Sequence, residues 1–375
     1  MRVNNQRFLS LDVFRGLTLA GMILVNNPGS WSYVYPPLQH ASWHGCTPTD
    51  LVFPFFLFAV GNAMSFSMKK YEAQGNGAVI RKIAKRTLLI FLIGLFLNWF
   101  PFVRWNDGAL VTKSFTQLRI MGVLQRIALC YGFAALIIHF FKDRGSFVWV
   151  GALLLGYWWI LLAFGQGDPY SLEGFAGLSV DKWLLGENHL YKGEGVPFDP
   201  EGLLSTIPAV VNVIFGYLAG AYIQQKGKTY EMLTGLLITG CLLIFTALCW
   251  NMVFPINKKI WTSSYVLYTS GLALVVISIL LYVIEMRNQT KWTYPFEAFG
   301  KNPLFIYIMA GVLVKTYFVF RIGPDDDDAY SWLYTHIFQP IAGNMNGSLL
   351  FALFHVTLFG LLAWWMDKRR IYIRV

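Results

Sequence analysis

Ten apolar runs, most close to the roughly 20 residues that a helix needs to cross a bilayer, set the terms for this chain. They fall at 10–26, 49–68, 83–102, 119–141, 146–165, 203–224, 230–254, 260–286, 296–320 and 348–366. Lipid offers backbone groups no hydrogen-bond partners, so such runs close their bonds internally, as helices. Composition agrees. Hydrophobic residues make up 56% of the chain and charged residues 13%, against about a quarter charged in soluble domains. That leaves too little polar surface to face water. The expected fold is all-α: a polytopic membrane helix bundle of about ten transmembrane helices. It forms one domain over 1–375 with long outer loops at 27–48, 166–202 and 321–347.

The formal charge of +10 does not indicate a nucleic-acid partner. The basic residues gather in short segments between the apolar runs, where they read as topology signals. With the N-terminus inside, the cytoplasmic segments hold 18 of the 30 Lys and Arg residues, including Arg2, Arg7, Arg86, Lys142 and Arg374. The outer segments hold eight, so both termini are expected in the cytoplasm. Cys46, Cys130, Cys241 and Cys249 have no metal-like spacing and suggest no disulfide framework. The first run opens with Asp12 and Arg15 and reads as a retained helix, not a cleaved leader. Segment 166–202 carries seven acids against two lysines, either a solvated loop or a surface for a cationic ligand. Asp325–Asp328 reads as solvated loop.

Polar groups at membrane depth are costly and point to function. One concentration comprises Asp12, Arg15, Asn26, Asn27, His40, His44 and Asp50; others are Gln125, Arg126, Asn212, Lys301, Asn302 and Lys315. An imidazole such as His40 suits general-base or nucleophilic work, and Asp50, ten residues on, suits orienting it and stabilising its cation. The structural alternatives are an interfacial histidine and an acid favoured by a helix N-terminus. Residue chemistry does not separate His40 from His44. Arg126 lies too deep to snorkel and needs a buried acid, a carbonyl or an anionic ligand. Asp12 and Arg15 suit a mutual pair. Lys301 suits either an ion pair or a phosphate. Phosphate-binding loops, zinc-like ligand spacing and serine-hydrolase elbows are absent from the sequence.

Several stretches resemble the heparan-α-glucosaminide N-acetyltransferase family. They are Leu11-Asp12-Val13-Phe14-Arg15-Gly16, Val25-Asn26, His40-Ala41-Ser42-Trp43 and Asp50-Leu51-Val52-Phe53-Pro54. Further on come Gly122-Val123-Leu124-Gln125-Arg126, the run from Phe198 to Ile207, the run from Pro255 to Tyr265, and Gly300-Lys301-Asn302-Pro303. The matches run in order along essentially the whole chain. The resemblance implies a transmembrane acyltransferase fold that carries acetyl from cytosolic acetyl-CoA, used as the acyl donor without a metal, to an amine across the membrane. It places the active-site histidine at His40, with Asp50 and Asn26 beside it. Arg15, Arg126, Lys301 and Asn302 are the expected donor contacts. The sequence shows no counterpart of the family's added N-terminal lumenal domain, and His44 follows Trp43 where the family carries Asn. Both departures point to a compact bacterial inner-membrane version whose partners are a smaller amino-sugar or glycan acceptor, the lipid bilayer and, in a homodimer, a second copy. The competing readings are a secondary transporter of sugars or peptides, an O-acetyltransferase of periplasmic glycans, and a structural subunit.

Overall fold

A computed structural model describes residues 8–71, 75–106, 108–323 and 327–373. Arg2, Arg7, Asp325, Asp326 and Arg374 lie outside the described residues. The chain is a helix bundle, as expected. Its long helices are α1 (Leu9–Asn26), α2 (Pro48–Tyr71), α3 (Asn76–Trp99), α4 (Val123–Phe164), α6 (Leu203–Lys226), α7 (Tyr230–Asn251), α8 (Ser263–Leu280) and α12 (Gln339–Lys368). Shorter helices are α5 (Ala176–Leu185), α9 (Tyr294–Lys301), α10 (Pro303–Tyr317) and α11 (Ala329–Leu333). Two small antiparallel hairpins, β1 (Val103–Asn106) with β2 (Ala109–Thr112) and β3 (Arg321–Ile322) with β4 (Asp327–Asp328), cap connections.

Seven helical stretches among the described residues are long and apolar enough to span a membrane, which makes this a multi-pass membrane protein. The difference from ten has three local causes. The fourth and fifth expected spans do separate, at Lys142 (φ 56°, ψ −169°), but lie within the single range Val123–Phe164 and are counted once among the seven. α3 opens with Arg81, Lys82, Lys85 and Arg86, so its apolar stretch is short. The ninth expected span breaks at Asn302 into α9 and α10, with Pro303 unable to continue the first.

Both described chain ends meet at one end of the bundle, where the Ser10 backbone N–H donates to Glu285 and the Asn302 amide to the Ile371 carbonyl. We term this end inner. The core is continuous through α2, α3, α4, α6 and α8, with further clusters joining α1 to α7 and α8 and to α9, α10 and α12. α2 and α6 approach backbone to backbone through glycine. A Cβ on Gly216 would stand 2.0 Å from the Phe58 carbonyl oxygen, and one on Gly61 2.0 Å from that of Val213. Small residues at such crossings let membrane helices gain dispersion contact that side chains would block.

The acidic segment 166–202 is a docked cover, not a solvated loop. Tyr170, Phe175 and Phe198 pack with Trp43, Tyr157 and Phe254 at the outer end. Asp181 and Asp199 are buried, Glu194 pairs with Lys259 at 2.5 Å, and Glu201 pairs with Arg119. Four of its seven acids are thus engaged within the fold, while Asp168, Glu173 and Glu187 stay exposed.

Candidate active site

Asp50 stands in the first turn of α2 in the sequence Thr47-Pro48-Thr49-Asp50, where its carboxylate reaches back to the residue before the helix, one half of a capping box. Its Oδ2 accepts from the Thr47 backbone N–H at 3.0 Å, the Thr47 hydroxyl at 3.1 Å and the Ala41 N–H at 3.0 Å. Its Oδ1 is left for His40, whose Nδ1 lies 2.6 Å away. The carboxylate is 1% exposed and the imidazole 37% exposed. When Nδ1 donates to Asp50, Nε2 keeps a lone pair that can face a substrate. The structure thus brings His40 and Asp50 together, and it separates the two histidines: the His44 ring faces the Asn257 amide at 3.4 Å. Burial, then the Asp50 charge, pushes the neighbouring Cys46 thiol up to about 12, so it stays protonated.

Lys258, which sequence reasoning passed over as an ordinary outer cation, completes this cluster. Its Nζ is 3.3 Å from Asp50 Oδ1, 2.9 Å from His40 Nδ1 and 3.5 Å from Nε2. Burial lowers the ammonium below the usual lysine range, against the opposing pull of the Asp50 and Glu201 carboxylates. The turn that carries Lys258 is fixed. Asn257 bonds Thr262 and Ile260, and Trp261, held at φ 50°, gives its indole N–H to Asn212 and packs edge-on against Phe53 of α2. The Tyr265 hydroxyl donates to the Asp50 carbonyl at 2.5 Å. The available signal was the run from Pro255 to Tyr265, dense in polar residues between two spans.

Two cavities lie between α1, α3, α4 and α10. The inner one, about 800 Å³, is lined by Arg15, Arg86, Lys301, Tyr131, Pro303 and Tyr372 among others. The outer one, about 250 Å³, is lined by Asn26, Asn27, Asn98, Arg119, Gln125 and Lys315 among others. On each helix the inner cavity takes the residues nearer the inner end and the outer cavity those further along: Asp12 and Arg15 then Met22 to Asn27 on α1, Ile127 and Tyr131 then Val123 to Gln125 on α4. The two are stacked along one column.

The expected donor contacts divide. Arg15 and Lys301 line the inner cavity, Arg15 bonded to Asp12 at 3.1 Å and the Gly300 carbonyl at 2.9 Å, Lys301 to Asp367 at 2.9 Å and Glu297 at 3.2 Å. Arg126 and Asn302 line neither cavity. Arg126 is fully buried on the opposite face of α4, stacked over Trp261 and bonded to Ser205 and the Gly202 carbonyl. Asn302 clamps the chain end, donating to the Ile371 carbonyl and accepting from the Ile373 N–H, both at 2.9 Å. Arg86, counted in the sequence only as a topology signal, joins the inner cavity. Its guanidinium lies 4.7 Å from the Tyr131 ring centroid, and its Nε has no hydrogen-bond partner among the described residues.

Asn26 is exposed at the end of α1, on the outer cavity, and no contact joins it to His40 or Asp50 among the described residues. His40 and Asp50 themselves line neither cavity. Arg119 on the outer cavity bonds Asp199 at 2.7 Å and Glu201 at 2.6 Å, and the Glu201 charge acts on Lys258. Burial disfavours the Arg119 charge, but these carboxylates outweigh it and hold the guanidinium above its ordinary value. Among the described residues no cluster of His, Cys, Asp and Glu is arranged to hold a metal.

The profile of a family described as Domain of unknown function (DUF5009) matches residues 7–141. Heparan-alpha-glucosaminide N-acetyltransferase of Mus musculus is 30% identical over 430 residues, covering all of this chain and 61% of the relative. The Homo sapiens protein of the same name is 30% identical over 380 residues, covering 86% of this chain and 55% of its own length. The chain therefore spans somewhat over half the length of these relatives. Along its whole length the chain is similar in sequence to the heparan-alpha-glucosaminide N-acetyltransferases, the family its motifs resemble.

Proposed function

We propose that this chain is a membrane-embedded acetyltransferase that takes acetyl from acetyl-CoA at the inner end and passes it to the amine of an amino sugar or glycan at the outer end. The observation that carries this reading is the column of two stacked cavities, the inner holding Arg15, Arg86 and Lys301 beside Asp12, the outer holding four side-chain amides beside Arg119 and Lys315. The larger lies within the roughly 300–1,000 Å³ usual for small-molecule sites. Arg15, Arg86 and Lys301 suit the phosphates of the donor, and the narrower outer chamber suits its acyl end. The relatives' name supplies the acceptor class, a glucosaminide.

The acceptor reacts as the neutral amine, its ammonium proton already lost to solvent, and a base is needed for the N–H proton released on acylation. His40 Nε2 takes the amine proton as the nitrogen attacks the thioester carbonyl. The C–N bond forms, the C–S bond breaks, and the imidazolium returns its proton to the departing thiolate. Asp50 steadies the imidazolium, and the Asn26 amide donates to the developing oxyanion. Attack by Nε2 itself, giving an acetyl-histidine, uses the same free lone pair. In this reading the chain sits in a bacterial inner membrane with both termini cytoplasmic.

With purified protein, acetyl-CoA and glucosamine, His40→Ala is expected to lower transfer by about 10²-fold or more. Near-normal turnover would remove His40 from the mechanism. A hydroxyl acceptor would reveal itself by a product ester that mild base cleaves and an amide resists. One observation favours transport instead: His40 and Asp50 stand outside both cavities. Saturable thermal stabilisation by CoA, about 2.7 kcal/mol at a hundredfold excess over Kd, supports the enzyme. Sugar counterflow in proteoliposomes without acetylated product supports the carrier.

A further inference from the structure

The proposed base is contacted by two opposite charges at similar range. Asp50 Oδ1 is 2.6 Å from His40 Nδ1, and Lys258 Nζ is 2.9 Å from the same nitrogen and 3.5 Å from the other. A carboxylate alone against an imidazole favours the imidazolium, which has no lone pair to offer. A cation within contact distance of both ring nitrogens disfavours it. Nδ1 carries at most one proton, so it cannot donate to Asp50 while accepting from Lys258. The ammonium instead shares Oδ1 with the imidazole, at 3.3 Å.

We propose that Lys258 is a positioning residue: by sharing Asp50 Oδ1 with the ring, it offsets the carboxylate's pull toward the imidazolium and holds the Nδ1 side of His40 against Asp50. This rests on the acetyltransferase reading only for its consequence in turnover; the electrostatic arrangement stands without it. The other groups around the pair do not replace this cation. Cys46, in the same segment as His40, stays a neutral thiol. His44 faces Asn257, the Tyr265 hydroxyl of α8 is spent on the Asp50 carbonyl, and Glu201 before α6 is bonded to Arg119. Lys259 turns away to Glu194 and the Trp43 ring. Lys258 is also held from behind, because its carbonyl accepts from the Trp261 N–H at 3.1 Å within the turn that Asn257 and Thr262 close.

The test follows His40 directly in full-length protein labelled with 15N-histidine in detergent, its signal assigned by loss in His40→Ala. In Lys258→Met the titration midpoint of His40 is expected to move to higher pH by about one unit, a tenfold change in proton affinity. The acid limb of kcat/KM should follow it, with the loss at pH 6 recovered above pH 8. Lys258→Arg, which restores a cation, should bring both back toward the parent protein. Should the Met variant fail to fold, Lys258→Gln repeats the measurement with a neutral hydrogen-bonding side chain. An unchanged midpoint in a folded neutral variant overturns the proposal, as does a loss of activity equal at every pH. A shifted midpoint in a protein that transfers no acetyl would sink the enzymatic reading and leave the role of Lys258 intact.

Discussion

Asp50 carries two duties that mutation can separate. It supplies its half of the capping box of α2 and it receives His40. Asp50→Asn keeps a polar side chain for both contacts but removes the charge, so turnover should fall by about 10²-fold while the melting temperature changes little. Asp50→Ala loses the cap as well, worth about 1 kcal/mol, and should melt lower. Asn-substituted protein at half the parent rate would deny the carboxylate its part. The second acid to follow is Asp181, on the cover. Burial pushes it up to about 7, against the opposing hydrogen bond from the Leu203 N–H. A carboxyl raised in the folded state stabilises fully below its unfolded value, near pH 4, and loses that contribution as pH climbs through about 7. Parent protein should therefore melt at lower temperature at pH 8 than at pH 5, and Asp181→Asn should flatten that difference. Equal slopes in the two proteins would rule this source out.

At the level of helices, the tightest tolerance is the α2–α6 crossing. Gly216→Ala forces apart two backbones that now meet at the Phe58 carbonyl, and overpacking of this kind costs about 1–3 kcal/mol. Because α2 begins with Asp50, the same change should slow turnover, whereas Gly151→Ala, whose Cβ meets open space on α4, should alter neither melting nor rate. Equal melting of the two variants would show the crossing to be slack. Helix existence was legible because hydrophobic runs of membrane length have few other solutions. Helix continuity was legible in part. The break at Lys142 falls in the short polar gap between the fourth and fifth expected spans, whereas the break at Asn302 depends on one residue's backbone angle, below what a hydropathy window resolves. Residue type left His40 and His44 level, and the choice of His40 beside Asp50 rested on the family motifs; the structure places the His40 ring against Asp50 across a ten-residue gap. Lys258 sits 218 positions from His40, and nothing short of tertiary structure brings that turn to the start of α2. Arg126 and Asn302 show the converse: a polar residue deep in a span signals a constraint, and here the constraints are a tryptophan face with a helix start, and a tethered chain end.

For the whole molecule, the column makes a prediction that no single contact does. Gly311 borders the outer chamber, and a Cβ there would meet only Leu97, at 3.7 Å. Gly311→Phe should fill that space and stop transfer, yet leave thermal stabilisation by CoA in the inner chamber unchanged. Loss of both together would mean the chambers are not separate stations. The walls of the outer chamber have a further consequence. Asn26, Asn27, Asn98 and Gln125 bear side-chain amides, which neither gain nor lose a proton in any ordinary medium. These four amides would grip a guest with constant strength as the surroundings acidify, so any change in its hold would fall to Arg119 and Lys315, the cations on the same wall.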